Sequence, residues 1–393
     1  MKISDYRVFQ LGQGVAHGQT WASSCILVQV TTSDGLVGYG EAVPTLRVEP
    51  VVRSLHEVGR VFKGADPFDF EKNRWEWYKH DFYLSRSFES TTALSAFDIA
   101  CWDIVGKSLG APIHRLLGGV FRDRIKVYAN GWYSGCVSPD QWKKRASELK
   151  SKGYRALKFD VFGSYFDWID QQGIETAVQR VEAVREGAGS DCQLMIEHHG
   201  RFRSNSAIAV AKALEPFDPL FVEEPVHPED LAGLEEYRRR TNLRVALGER
   251  IITKQDLIEM CSRRLFDFLQ ADITNVGGVT EAKKMCAIAE GYGLEVAFHN
   301  AFGPIQNAVT VQVDASIPNF LIQESFYDFF PQWKRDLIGD SMPVVDGHYK
   351  VPGKPGVGVD VNESLLEKLS VTGQEYFNPD EPVWVIGGTW KNA

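Results

Sequence analysis

No stretch of the chain holds the roughly 20 consecutive apolar residues that crossing a bilayer requires, so a membrane role is excluded as an expectation. The opening residues, Met1-Lys-Ile-Ser-Asp-Tyr6, lack the apolar segment of a secretory leader, which predicts a cytoplasmic protein. The six cysteines (Cys25, Cys101, Cys136, Cys192, Cys261, Cys286) form no CxxC pair, and most lie in apolar surroundings. Reduced, buried thiols are therefore expected. Positive charge is also short: 43 Lys and Arg stand against 52 Asp and Glu, a net charge of −9, which argues against nucleic-acid binding. Low-complexity segments and long linkers are absent. Neither a GxGxxG nor a GxxxxGK[ST] fingerprint follows a strand, which disfavours a doubly wound open sheet. What remains is a globular composition, 44% apolar and 24% charged over 393 residues, long enough for a barrel with an additional domain.

The informative positive feature is a repeat of acidic strand ends. Glu197, Glu223 and Glu249 are spaced 26 residues apart, and each closes a short apolar run: Gln193-Leu-Met-Ile-Glu197, Leu220-Phe-Val-Glu223 and Val245-Ala-Leu-Gly-Glu249. Such a run followed by a helix-length stretch, repeated at this interval, marks successive βα units. Five further strand-like segments flank them, Ile125–Ala129, Arg155–Phe159, Phe266–Asp272, Glu295–His299 and Phe320–Glu324. Between strands the periodicity is helical. In Asp140–Gly153, Trp142, Ala146 and Leu149 fall at i, i+4 and i+7, and Gly153 ends the helix. Strand alternating with helix across residues 125–324 predicts a TIM-type barrel. Residues 1–120 break that rhythm. Ser24–Gln29 and Thr31–Tyr39 read as antiparallel strands about Ser33-Asp34-Gly35, followed by helical patterns ending in Ser90–Gly110, so an α+β domain precedes the barrel.

In a closed parallel barrel the C-terminal strand ends share one mouth, where the three glutamates would meet. Clustered carboxylates repel unless a cation lies between them, and all-oxygen ligation favours a hard divalent ion, Mg2+ before Mn2+. Other strand ends add Lys158 and Asp160, His199, Asp272, His299 and Glu324. Strand alternation places Glu197 and His199 on one face with His198 turned elsewhere, and Lys158 with Asp160. Asp272 and His299 end neighbouring strands, so a hydrogen bond between them would fix the imidazole tautomer and raise its basicity. A divalent ion with Lys158 can stabilise the enediolate formed when a proton leaves the carbon beside a carboxylate. With one histidine as base and another as acid, the outcome is dehydration of a 2,3-dihydroxy acid to a 2-keto-3-deoxy acid.

The set Lys158, Glu197, Glu223, Glu249, Asp272/His299 and Glu324 resembles the enolase superfamily, mandelate racemase-like branch, whose use of a Lys or His base with Mg2+ is general knowledge. The resemblance extends to Ala96-Phe-Asp98-Ile-Ala-Cys-Trp102-Asp103-Ile-Val-Gly106-Lys107 and Asn275-Val-Gly-Gly-Val279-Thr280. Glu197-His-His199-Gly-Arg201-Phe202, Asp81-Phe-Tyr83-Leu-Ser-Arg86-Ser-Phe-Glu89-Ser90, Thr20-Trp21-Ala-Ser23, Phe298-His299-Asn-Ala-Phe302-Gly303 and Phe330-Pro-Gln-Trp333-Lys-Arg335 are similar to archaeal-type gluconate dehydratases. The resemblance implies a modified (β/α)7β barrel over residues 121–344, with an α+β capping domain of residues 1–120 completed by the tail 345–393. It implies Mg2+ on Glu197, Glu223 and Glu249, His299 (paired with Asp272) as the base, His199 as the acid, and Lys158 and Glu324 on the substrate carboxylate or enediolate. Trp21, His17, Tyr83 and Arg86 from the cap, with Asp160 and Arg201 from the barrel, are the candidates for reading an aldonic acid. A homo-oligomer, dimer to octamer, is expected. Two departures stand out: Glu197 replaces an aspartate common among relatives, and Asp160 replaces the second lysine of the racemase Lys-x-Lys motif, which disfavours a Lys/His racemase. Glu224 competes with Glu223 as a ligand, and the equal spacing selects Glu223. The alternatives are dehydration of galactonate, mannonate or a pentonate, epimerisation by two histidine bases, and a non-catalytic binding protein on an enzyme scaffold.

Overall fold

The computed structural model describes residues 1–12, 24–44, 48–83 and 86–371. The chain opens with an antiparallel sheet of β1 (Ile3–Gly12), β2 (Ser24–Thr32) and β3 (Val37–Ala42), in that order. β2 and β3 are joined through Gly35 at φ 85°, a left-handed conformation that costs glycine little. β3 starts later than its sequence pattern indicates because Thr31 and Thr32 still pair with β1, opposite Asp5 and Ile3. β1 is not among the segments singled out by the sequence. Its strand character shows in Phe9 and Leu11, two residues apart and both buried. Helices α1 (Val48–Phe62), α2 (Phe70–His80), α3 (Phe88–Leu109) and the short α4 (Ile113–Leu116) follow.

α3 begins at Ser87, whose hydroxyl caps the Ser90 N–H, and ends at left-handed Gly110. It is buried almost all round because it lies between the cap sheet and the barrel. Against the sheet the approach is backbone to backbone: a Cβ on Gly40 would come within 1.8 Å of the Ala96 carbonyl oxygen, and one on Gly38 within 2.3 Å of that of Ala100. Against the barrel, Asp98 accepts from the Thr280 N–H (3.2 Å) and hydroxyl (2.5 Å), Ser95 accepts from Gly277 N–H (2.9 Å), and Trp102 Nε1 donates to Thr280 (2.9 Å). Asp103 ties Tyr39 N–H (3.0 Å) to Val357 N–H (2.9 Å). Two of the sequence stretches that carry the family resemblance thus meet each other across the domain boundary.

The barrel runs β4 (Arg124–Ala129), α5 (Pro139–Ser151), β5 (Ala156–Phe159), α6 (Gln171–Ala188), β6 (Gln193–Glu197), α7 (Ser204–Leu214), β7 (Phe221–Glu223), α8 (Leu231–Arg240), β8 (Val245–Leu247), α9 (Lys254–Ser262), β9 (Phe268–Leu269), α10 (Gly278–Gly291), β10 (Glu295–Val296), α11 (Pro304–Ala315) and β11 (Gln323–Ser325). Each of the first seven strands is followed by a helix, giving the (β/α)7β pattern. The parallel strands follow one another in order, β11 pairs with β4, and a bridge between Val296 and Phe320 closes the ring. Several strands are shorter than their apolar runs, yet single bonds carry the pairing onward, as from His299 N–H to Ala271 O at 3.1 Å. After the short α12 (Gln332–Asp336), β12 (His348–Lys350) pairs antiparallel with β4, and α13 (Glu363–Leu369) leads to a bridge between Ser370 and Leu11 of the cap sheet. The tail therefore touches both bodies, and residues 372–393 lie outside the described residues.

The lumen is plugged by Tyr128, Ala156, Met195, Phe221, Ala246, Phe268, Ala297 and Ile322, one residue from each strand or the segment leading into or out of it. Among the described residues no helix is long and apolar enough to cross a membrane, and all six cysteines are buried and unpaired. Because β3 rests on α3 through bare glycine backbone, Gly40→Ala should destabilise the fold by about 1–3 kcal/mol or more, measured by chemical denaturation; an unchanged midpoint would show that the contact yields.

Candidate active site

Side chains two residues apart share a face of a strand, so the layer above the plug can be read by adding two to each plug position. That layer is Asn130, Lys158, Glu197, Glu223, Gly248, Gln270, His299 and Glu324. Apolar residues below and mostly polar or ionisable ones above define the floor and the mouth of the barrel. Parallel register sets Glu197 beside Glu223.

Lys158 is 1% exposed and forms ion pairs with Glu223, Glu324 (2.8 Å) and Glu197 (3.2 Å). Burial opposes its charge, but Glu223, Glu324 and Glu197 outweigh burial and hold the ammonium well above its usual range. Burial, with Glu197 close by, pushes the Glu223 carboxyl up instead. Glu324 would also rise on burial, yet Lys158 and His299 hold it down to about 2, and it accepts from Asn130 Nδ2 (2.7 Å) and Asn300 N–H (2.8 Å). Gln270 Nε2 donates to Glu223 (2.7 Å), whose other oxygen is buried without a partner.

The three candidate metal ligands are brought to the mouth, but among the described residues no three acidic, histidine or cysteine side chains are already grouped as a metal site. Lys158 draws in Glu197 and Glu223, while Glu249, two residues beyond the end of β8, pairs with Arg250 (3.5 Å) and His299 Nε2 (3.1 Å). The donor set fits a hard divalent cation all the same. It is all carboxylate, it carries more buried negative charge than one lysine balances, and an oxygen of Glu223 is orphaned. Glu224 is consumed elsewhere: at φ 43° it turns from the mouth and is gripped by Arg250.

Asp272 and His299 form the expected pair, Oδ2 to Nδ1 at 2.6 Å. Thr274 N–H (2.7 Å) and Gln306 Nε2 (2.8 Å) hold the carboxylate from behind. Burial disfavours the imidazolium of His299, but Glu249, the bond to Asp272 and nearby Glu324 carry it up to about 10.

A second pair lies across the site's other elements. His199 follows the end of β6 in a left-handed turn (φ 53°), so strand alternation does not place it; its Nδ1 is held by Asp160 Oδ2 at 2.8 Å. Asp160 also accepts from Phe162 N–H (2.9 Å) and from Arg201. Arg201, 1% exposed, is fixed by the carbonyls of His198 (3.0 Å) and Gly163 (2.8 Å). Asp160 and Arg201 thus bond each other and His199 Nδ1, beside the imidazole. His198 is buried between Phe162 and Phe202.

Of the cap candidates, the two that are described, Arg86 and Tyr83, are not gathered at the mouth. Arg86 pairs with Asp256 (3.3 Å) and lines a cleft of about 410 Å³ with Trp75, Thr253, Lys254 and Gly277, between cap helices and barrel helices. Tyr83 is 88% exposed, its ring against Phe82. His17 and Trp21 lie outside the described residues. Site residues not picked out from the sequence are Asn130, Gln270, Asn300, Gln306 and Arg250, the last binding Glu224 and the His199 carbonyl (2.6 Å). Asn130 and Gln270 carry the same signal as the others, a polar residue two positions after a plug residue.

Comparison with known proteins follows the same lines. The family model "Enolase C-terminal domain-like" matches residues 141–365, and "Mandelate racemase / muconate lactonizing enzyme, N-terminal domain" matches residues 8–118. A D-gluconate/D-galactonate dehydratase of Picrophilus torridus is 49% identical over 389 residues, covering 99% of both chains. A D-gluconate dehydratase of Thermoproteus tenax is 50% identical over 371 residues, 94% of this chain and 75% of that one. Among solved structures, a mandelate racemase/muconate lactonizing enzyme from Jannaschia sp. CCS1 superposes with a TM-score of 0.87 at 29% identity, covering 95% of this chain and 99% of that one. A member of the enolase superfamily from Salmonella Typhimurium gives the same score at 26% identity, covering 93% and 98%. With both domains matched and the barrel mouth built as described, the chain belongs to the mandelate racemase/muconate lactonizing enzyme family of the enolase superfamily.

Proposed function

We infer that this chain is a hydro-lyase that dehydrates D-gluconate to 2-keto-3-deoxy-D-gluconate. The observation that carries the reading is the presence of two separate His–Asp pairs at one barrel mouth. It is supported by relatives of 49 and 50% identity named for gluconate dehydration. Elimination needs a base for the C2 proton and an acid for the departing 3-hydroxyl. In its neutral form His299 takes the C2 proton at Nε2, since Asp272 holds Nδ1 and so fixes the tautomer. Lys158, held in place by its ion pair with Glu324 (2.8 Å), stabilises the negative charge that builds on the substrate carboxylate oxygens. His199, with Nδ1 held by Asp160, delivers a proton to the 3-hydroxyl as the C3–O bond breaks. The products are water and an enol that tautomerises to the keto acid. Glu197, Glu223 and Glu249 would hold a divalent cation, Mg2+ by their chemistry, which when bound supplies Lewis acidity towards the substrate carboxylate.

Removal of metal by EDTA should abolish keto-acid formation, and Mg2+ or Mn2+ should restore it; full turnover by rigorously demetallated protein would sink the carboxylate assignment. Glu223→Gln should lose activity with its fold intact by circular dichroism.

The histidines should separate in exchange experiments. His299→Asn should stop both dehydration and exchange of the C2 proton with solvent deuterium. His199→Asn should keep exchange while slowing water loss about 10²–10⁴-fold. The opposite pattern would reverse the two roles.

On a panel of aldonic acids, D-gluconate should give the highest kcat/KM, with D-galactonate, its C4 epimer, turned over more slowly and mandelate scarcely at all. An unpaired buried hydroxyl costs about 1–3 kcal/mol, enough for roughly 5- to 150-fold discrimination. Inversion at C2 without loss of water would show an epimerase instead.

A further inference from the structure

Glu41, the penultimate residue of β3, is a fully buried carboxylate that the mechanism above does not use. Its Oε2 accepts from the N–H groups of Ile305 (3.0 Å) and Gln306 (2.9 Å), in the first turn of α11. That helix has Gly303 at its N-cap and no capping side chain of its own. The open N–H groups of a helix start favour an anion, and here the anion comes from the other domain. The fit is close: a Cβ on Gly303 would fall 2.1 Å from Glu41 Oε1.

The turn so held is the one that aims Gln306. Its Nε2 donates to Asp272 Oδ2 (2.8 Å), the same oxygen that binds His299 Nδ1 (2.6 Å), while its Oε1 accepts from Phe302 N–H (2.8 Å). Buried Lys334 bonds the Phe302 carbonyl (2.8 Å), and the Phe302 ring stands edge-on to the His299 ring with centroids 5.4 Å apart. A continuous series of contacts therefore runs from the cap sheet through the start of α11 to the imidazole.

We propose that Glu41 is a positioning residue for the reaction: by capping α11 from the cap domain it sets Gln306 against Asp272 and thereby orients His299. The consequence for catalysis rests on the reading of His299 as the base. A purely structural capping role would lower stability without changing the His299–Asp272 hydrogen bond in the folded protein.

The test uses the full-length protein and two readouts, the downfield proton resonance of the His299 Nδ1–H bonded to Asp272, identified by its loss in His299→Asn, and kcat per folded active site. In Glu41→Leu the resonance should shift or broaden away, and kcat should fall by about 10- to 100-fold, the scale of a misplaced catalytic group, with KM changed far less. Glu41→Gln keeps an oxygen for the two N–H groups and should rescue most of both signals. If Glu41→Leu does not fold, Gln306→Leu, which leaves the cap contact in place, should show the same losses. An unchanged resonance and unchanged kcat in a folded Glu41→Leu or Gln306→Leu protein would overturn the proposal. Loss of the resonance with C2 exchange intact would support the positioning and place the failure in the assignment of His299 as base.

Discussion

Everything at the barrel mouth is arranged around an excess of buried negative charge. Glu197, Glu223, Glu324 and Asp272 are buried above an apolar plug with half-buried Glu249 beside them, and among the described residues Lys158 is the one lysine in the group. Unpaired charge at that depth is costly, so each neighbouring polar group is recruited to offset it. Asn130, Asn300 and Lys158 serve Glu324, Gln270 serves Glu223, and Gln306 and Thr274 serve Asp272. The elevated proton affinity of His299 and the orphaned oxygen of Glu223 are two expressions of one imbalance. A site of this kind is primed for cationic partners and for transition states whose charge spreads over carboxylate oxygens.

The two His–Asp pairs divide along the same axis. His299 is surrounded by carboxylates, while Asp160 beside His199 is matched by the Arg201 guanidinium. Chemically similar pairs thus sit in opposite electrostatic surroundings, as the proposed division into a base and an acid requires.

Much of this was legible in the sequence because strand alternation is rigid. The order of the eight strands, Glu197, Glu223 and the Asp272–His299 pair follow from where apolar runs end, while Glu249 lies one residue past the alternating position, which Gly248 holds. The reading fails where alternation stops. His199 is placed by a left-handed turn beyond the strand, and the role of Asp160 depends on Arg201, 41 residues away. Spacing also could not foretell that Lys158 would draw Glu197 and Glu223 together, because ion pairing between strands is a property of the assembled lumen. Asn130 and Gln270 could have been found by the same period-two rule. Glu41 and Gln306 could not, since their link joins residues 265 apart.

The bare-glycine contact of β3 with α3, together with the bonds of α3 to Gly277, Thr280 and Val357, means that the boundary near residue 120 is a boundary in sequence more than in mechanics. The cap is not a module that could be exchanged at a linker. A chimera intended to borrow another relative's cap would have to transplant a three-dimensional seam, with Ser95, Asp98 and Asp103 moving together with their barrel partners. Otherwise recombination at residue 120 would separate groups that solvate one another's buried charge. Changes to the cap that stay clear of that seam leave these bonds in place.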